Sequence, residues 1–151
     1  MTLAAALLGR AASTKENASA IRGAGTSILR GGTGAPSFVP VLTKFGFYWR
    51  GGEGAFECLA LVPSAPAGAA ASGNFDKNAM YVTGTISSAQ VSDQTAVLKG
   101  TATVTGLGAG SNQPFTATAT PGGPGATLVL TVSGRTFREI VLDGSISFEK
   151  R

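Results

Sequence analysis

The stretch KFGFYWRGGEGAFECLALV, Lys44–Val62, decides the fold. Phe45, Phe47 and Trp49 alternate with Gly46, Tyr48 and Arg50. Phe56, Cys58 and Ala60 alternate with Glu57, Leu59 and Leu61. Side chains that repeat every second residue line one side of an extended strand. Gly51–Gly54, between the two runs, reads as a turn. The stretch therefore predicts two successive strands with Phe45, Phe47, Trp49, Phe56 and Cys58 facing a core. Leu59–Val62 is apolar on both faces, which predicts a strand covered on its second side as well.

The same period continues downstream. Met80, Val82, Gly84 and Ile86 share one parity. So do Ala96, Leu98, Gly100, Ala102 and Val104, then Phe115, Ala117 and Ala119, then Leu128, Leu130 and Val132. Phe137–Leu142 and Ser145–Glu149 follow. Threonine fills many of the opposite positions, suiting a strand by its β-branch and solvent by its hydroxyl. Turn-like joints at Gly106–Pro114 and Pro121–Gly125 separate the runs, without the helical spacers of a parallel sheet. The expected fold is mostly β: an antiparallel β-sandwich or small β-barrel of about 7–8 strands, with a short helical or extended N-terminal leader. Asp143-Gly144 reads either as a type I′ hairpin turn or as a bulge in one long final strand. Inward Gly84, Gly100, Ala102, Ala117 and Ala119 leave little bulk. The layers approach closely there, or Phe115, Trp49 and Phe56 reach across, or a ligand cavity remains; close packing is the expectation.

Residues 1–34 look different and are read as an Ala/Ser/Gly-rich basic leader arm, with residues 35–151 as the β-domain. Leu3, Leu7, Leu8 and Ala11 form a helical stripe, and Ala20, Ile21, Ala24 and Ile28 a second one, weakened by Gly23 and Gly25. Neither helix is stable alone, so each needs a docking surface. The arm carries four cations and one carboxylate, for a net charge of +3, out of +4 for the whole chain.

Composition excludes much chemistry. The chain has 151 residues, with 13% charged and 43% hydrophobic side chains, which suits a single domain with a real core. It has no histidine and one cysteine. The common Ser-His-Asp and Cys-His machineries are therefore absent, as are imidazole metal sites and internal disulfides. Isolated cations do not make a phosphate-tracking patch, which argues against nucleic acid. No apolar run has the length of a membrane-spanning helix. GAGTS at 23–27 and GLGAGS at 106–111 lack the strand–loop–helix context and lysine of a phosphate loop. Cys58 shares the parity of Phe56 and reads as core. Glu53, Glu57, Asp76, Asp93, Glu139 and Asp143 are not anchored relative to one another, and the oxygen donors Asn74, Asp76 and Asn78 lack ligand-loop spacing. No catalytic residue, metal ligand or cofactor is assigned.

Two surfaces remain as candidates. Tyr48, flanked by Lys44 and Arg50 on the outward parity, suits a contact with protein or glycan. Leu3, Leu7, Leu8, Ile21, Ile28, Leu59 and Leu61 are the expected assembly residues. GxFxCLALVP followed by short glycine–threonine strands resembles small β-rich domains of bacterial secreted or hypothetical proteins, and that resemblance implies a non-enzymatic role. The sequence thus points to a non-catalytic structural or assembly domain that self-associates. An extracellular, cell-surface or particle-borne setting is favoured over the cytoplasm. A glycan- or small-ligand-binding module and a carboxylate-based hydrolase are the alternatives.

Overall fold

The computed structural model describes residues 18–30, 40–66, 68–70 and 73–150. They form eight strands: β1 (Ala18–Leu29), β2 (Leu42–Arg50), β3 (Glu53–Val62), β4 (Lys77–Ser92), β5 (Thr95–Gly106), β6 (Gly110–Ala119), β7 (Thr127–Val132) and β8 (Arg135–Lys150). Each strand pairs antiparallel with its neighbours in sequence, and β8 pairs with β1, so the sheet closes into an up-and-down barrel. Closure leaves no edge strand.

An eight-stranded barrel has an interior just wide enough to be filled by its own side chains. Here the filling is aromatic. Phe45 stacks on Phe47 and Phe47 on Phe56, each with ring centroids 6.1 Å apart, and Phe56 tilts against Phe115 at 5.2 Å. The inward parities of β2 to β7 are those the alternation predicts. The small inward residues are explained by Phe115 reaching across. A Cβ at Gly84 or Gly100 would come within 3.0 or 2.9 Å of its ring. Gly51 and Gly52, both at positive φ, make the β2–β3 turn, while Glu53 and Gly54 already belong to β3.

The first corrections concern residues 18–29. Residues 18–29 are not a helix on an arm but a barrel strand, hydrogen-bonded to both β2 and β8. The boundary expected near Gly34 therefore falls between two strands of one barrel. The helical reading arose because the inward positions of β1 include Gly23 and Gly25, which carry no apolar side chain to mark the period of two. Both are required. A Cβ on Gly23 would lie 2.5 Å from the Phe47 ring, and one on Gly25 would lie 2.0 Å from the Asp143 carbonyl oxygen. Ile21, expected in assembly, is 1% exposed and belongs to the core. Leu3, Leu7 and Leu8 lie outside the described residues.

Asp143-Gly144 lies inside β8 and is not a hairpin turn; the bulge falls just before it, at Leu142, which the β1 register skips. Gly144 has φ +93° and faces Gly25 in register. The extra residue reverses the strand's parity: Glu139 and Val141 are buried before it, Ile146 after it.

Candidate functional site

One carboxyl group interrupts the apolar interior. Glu139 on β8 is 8% exposed and lies beside Leu29 in the β8–β1 ladder. Ser27 and Thr43 face the same interior from β1 and β2. The Ser27 hydroxyl donates to Glu139 Oε2, and Thr43 Oγ1 donates to Oε1 at 2.7 Å. Burial pushes the carboxyl above its ordinary range, against the pull of the two hydroxyl donors. Cys58 is buried in the same interior. Desolvation, then the charges of Glu139 and Glu57, push its thiol up to about 12. At neutral pH it stays a thiol and lacks the thiolate that nucleophilic or metal chemistry needs.

The other carboxylates do not converge on a shared cleft. Glu53 and Glu57 face outward on β3, four residues apart, about 13 Å along the strand. The two carboxyl groups of a glycosidase stand roughly 5–9.5 Å apart across the bond they cleave. Asp76 is taken up by Ser64, whose amide and hydroxyl each donate to it at 3.0 Å, which fastens the β3–β4 connection. Among the described residues no group of three histidine, cysteine or acidic side chains stands close enough to hold a metal ion. The barrel, so described, has no obvious catalytic constellation.

The outer face of β8, β1, β2 and β3 is where the sequence candidates gather. Lys44, Tyr48 and Arg50 are exposed on the outward parity of β2, and Tyr48 is 56% exposed. Ile28 and Leu61, together with Leu59, face outward on β1 and β3 and are half-buried. Leu42 pairs with Ile28 on one side and Leu61 on the other, and Ile28 pairs with Ile140. Ile140, Ile28, Leu42 and Leu61 therefore form one apolar row across four strands on the outside of the barrel. Leu142, 47% exposed, stands beside its β8 end.

The sequence reading picked out Ile28, Leu59 and Leu61 but missed Leu42 and Ile140, because membership of the row is set by inter-strand register. Glu139 was also missed as an interior group. Its signal was Thr43, a hydroxyl in step with inward Phe45 and Phe47.

Comparison with protein-family models, curated proteins and solved structures finds no match to this chain. The functional reading therefore rests on the barrel itself.

Proposed function

We propose that this protein is a non-catalytic assembly module that self-associates through the outer face of β8, β1, β2 and β3. The observation that carries this reading is the row Ile140–Ile28–Leu42–Leu61. These side chains point away from the core and are not needed to fill it. Apolar side chains contiguous on an outer surface mark contact sites. A second copy of the same row is its simplest complement, since a two-fold contact sets one patch against itself.

The rest of the exterior supports this reading by contrast. Thr83, Thr85, Thr101, Thr103 and Thr105 are all exposed. An apolar interior under a hydroxyl-rich wall is the reverse of a membrane-spanning barrel, which turns its apolar band to lipid. Low charge and abundant hydroxyls suit an extracellular, cell-surface or particle-borne setting.

The test is the mass in solution by light scattering over a range of concentrations. The expected result is a species heavier than the 15.0 kDa chain that returns to monomer in Leu42→Lys/Leu61→Glu with the β circular dichroism intact. A monomer at every concentration sinks the proposal.

A further inference from the structure

The outer face of β8, β1, β2 and β3 also carries a hollow, one register step beyond the apolar row's polar border. Ser145, Ala24, Gly46 and Glu57 are successive register partners on the four strands. With strands about 4.8 Å apart, they draw a line about 14 Å long across the barrel wall. Two open depressions lie along that line. One, of about 290 Å³, is bounded by Arg22, Ser145 and Ser147. The other, of about 350 Å³, is bounded by Tyr48, Ala55 and Glu57. They share Gly23, Ala24 and Phe47 and so form one trough.

Gly46 is the informative residue. A glycine inside a strand is destabilising relative to alanine, and it needs a reason. The other strand glycines discussed above have one: Gly23, Gly25, Gly84, Gly100 and Gly144 each face an atom that a Cβ would strike. Gly46 has no positive φ, pairs without a register shift, and a Cβ there would meet nothing within 4 Å. Nothing in the fold demands it. A strand glycine without an internal reason marks a place where something outside approaches the backbone.

The surroundings define the visitor. Tyr48 and Lys44, the outward neighbours of Gly46 along β2, flank the opening. Tyr48 offers a largely exposed ring with a hydroxyl at its tip. Glu57 accepts the Tyr81 hydroxyl on Oε1 at 2.6 Å, which orients the carboxylate. Arg22, in register beside Tyr48, donates from Nε to Ser147 Oγ at 3.2 Å, which draws the guanidinium toward β8. Of the residues that bound the trough, the one cation, Arg22, is balanced by the one carboxylate, Glu57. A phosphate would meet that carboxylate as well as the guanidinium. A neutral molecule rich in hydroxyls meets donors, acceptors and an apolar ring at once. We propose that this trough binds a neutral saccharide, with the sugar face lying over Ala24 and Gly46 against Tyr48, and its hydroxyls shared between Glu57 and Arg22. Binding is assigned to the trough and self-association to the row of Leu42 and Leu61, four residues away along the same strands.

The experiment is a titration of the ¹⁵N-labelled full chain with four neutral probes: maltotriose, cellotriose, mannotriose and triacetylchitotriose. Inorganic phosphate serves as the anionic probe. The expected result is a saturable shift of the Ala24, Gly46 and Ala55 amides with at least one trisaccharide. That shift disappears in Gly46→Val, which fills the trough with a residue suited to a strand. In Tyr48→Ala the affinity falls roughly tenfold, the scale of one lost aromatic contact. Both variants keep the parent's melting temperature within a few degrees, which separates lost binding from lost fold. Four results overturn the proposal: no saturable shift with any trisaccharide, shifts mapping elsewhere, Gly46→Val binding as well as the parent, or phosphate taking the site instead. If the same amides shift with protein concentration alone, the occupant is a second copy, and the saccharide proposal falls.

Discussion

The outward residues of β4 and β5 and those of β8, β1, β2 and β3 obey the same alternation but differ in kind. On β4 and β5 the outward register pairs include Thr83 with Thr103 and Thr85 with Thr101, all exposed. On the closing strands they include Ile140 with Ile28, Leu42 with Leu61, and Ala24 with Gly46. Behind both walls the interior is mainly apolar, with Ser27, Thr43 and Glu139 interrupting it on β1, β2 and β8. Burial constrains the inner face of every strand and leaves the outer face free, so it does not account for the difference on the outside. The threonine wall is what an antiparallel strand does when only water is outside. The other wall carries apolar side chains where hydroxyls would serve, and a glycine where threonine would fit.

Glycines give the sharpest way to break this contrast. Gly100 on β5 faces inward, and a Cβ there would lie 1.9 Å from the Thr85 carbonyl oxygen and 2.9 Å from the Phe115 ring. Gly100→Ala is expected to cost about 3 kcal/mol, the upper end of an overpacking penalty. The melting temperature then falls on the order of 10 °C, as a calorimetric scan would read. A loss of only a degree or two would mean that the barrel tolerates local opening, and the inner constraint would be weaker than argued.

Next in size is assembly. Leu42→Lys/Leu61→Glu places an opposite-charge pair on adjacent strands in the apolar row. The matched control, Thr85→Lys/Thr101→Glu, does the same in the threonine wall. The first is expected to lower the light-scattering mass to that of one chain, and the second to leave it unchanged. Equal behaviour of the two would erase the distinction between the walls.

Much of the barrel was legible before its coordinates, and the parts that were not share a physical cause. β2 and β3 were legible because Phe45, Phe47, Trp49 and Phe56 announce their inward face. β1 was not, because Gly23 and Gly25 hold inward positions with no side chain to show it. β8 was legible as strand but ambiguous at Asp143-Gly144, since the same dipeptide serves a turn or a bulge. Only pairing with β1 decides between them. The outward placement of Tyr48, Lys44, Arg50, Leu59 and Leu61 was legible residue by residue. The shape of the candidate site was not, because the row and the trough run across strands, and neighbours across strands are distant in sequence. Glu139 escaped for the same reason: its partners Ser27 and Thr43 lie 112 and 96 residues away.

That buried carboxyl gives a smaller and pH-dependent effect. Burial raises the folded-state pKa of Glu139 above its unfolded value. The folded chain therefore holds this proton over a pH range where the unfolded chain has lost it. The resulting contribution to stability is full below the ordinary carboxyl range and is lost as pH rises through the folded value. Glu139→Gln keeps the shape and an acceptor oxygen for Ser27 or Thr43 but has no charge to bury. It is expected to be more stable than the parent at pH 8, where the buried carboxyl has to ionise, and equal to it near pH 4. Denaturant titrations at the two pH values check this. A variant less stable than the parent at pH 8 would show that the ionised carboxylate is well accommodated by its two hydroxyl donors.

The smallest effect returns to the comparison of walls. In Gly46→Ala the new methyl group meets open space, and alanine restricts the unfolded chain more than glycine does. The expected change is a gain of about 0.5 kcal/mol, near the limit of a careful denaturant titration. Its sign matters more than its size. A gain means that folding alone would have been better served by a side chain at this position, as it is at Thr83 and Thr101 on the other wall. The cost of the glycine must then be offset by something that approaches β2 from outside. A loss would instead reveal an internal reason for Gly46, and the trough would be a by-product of packing.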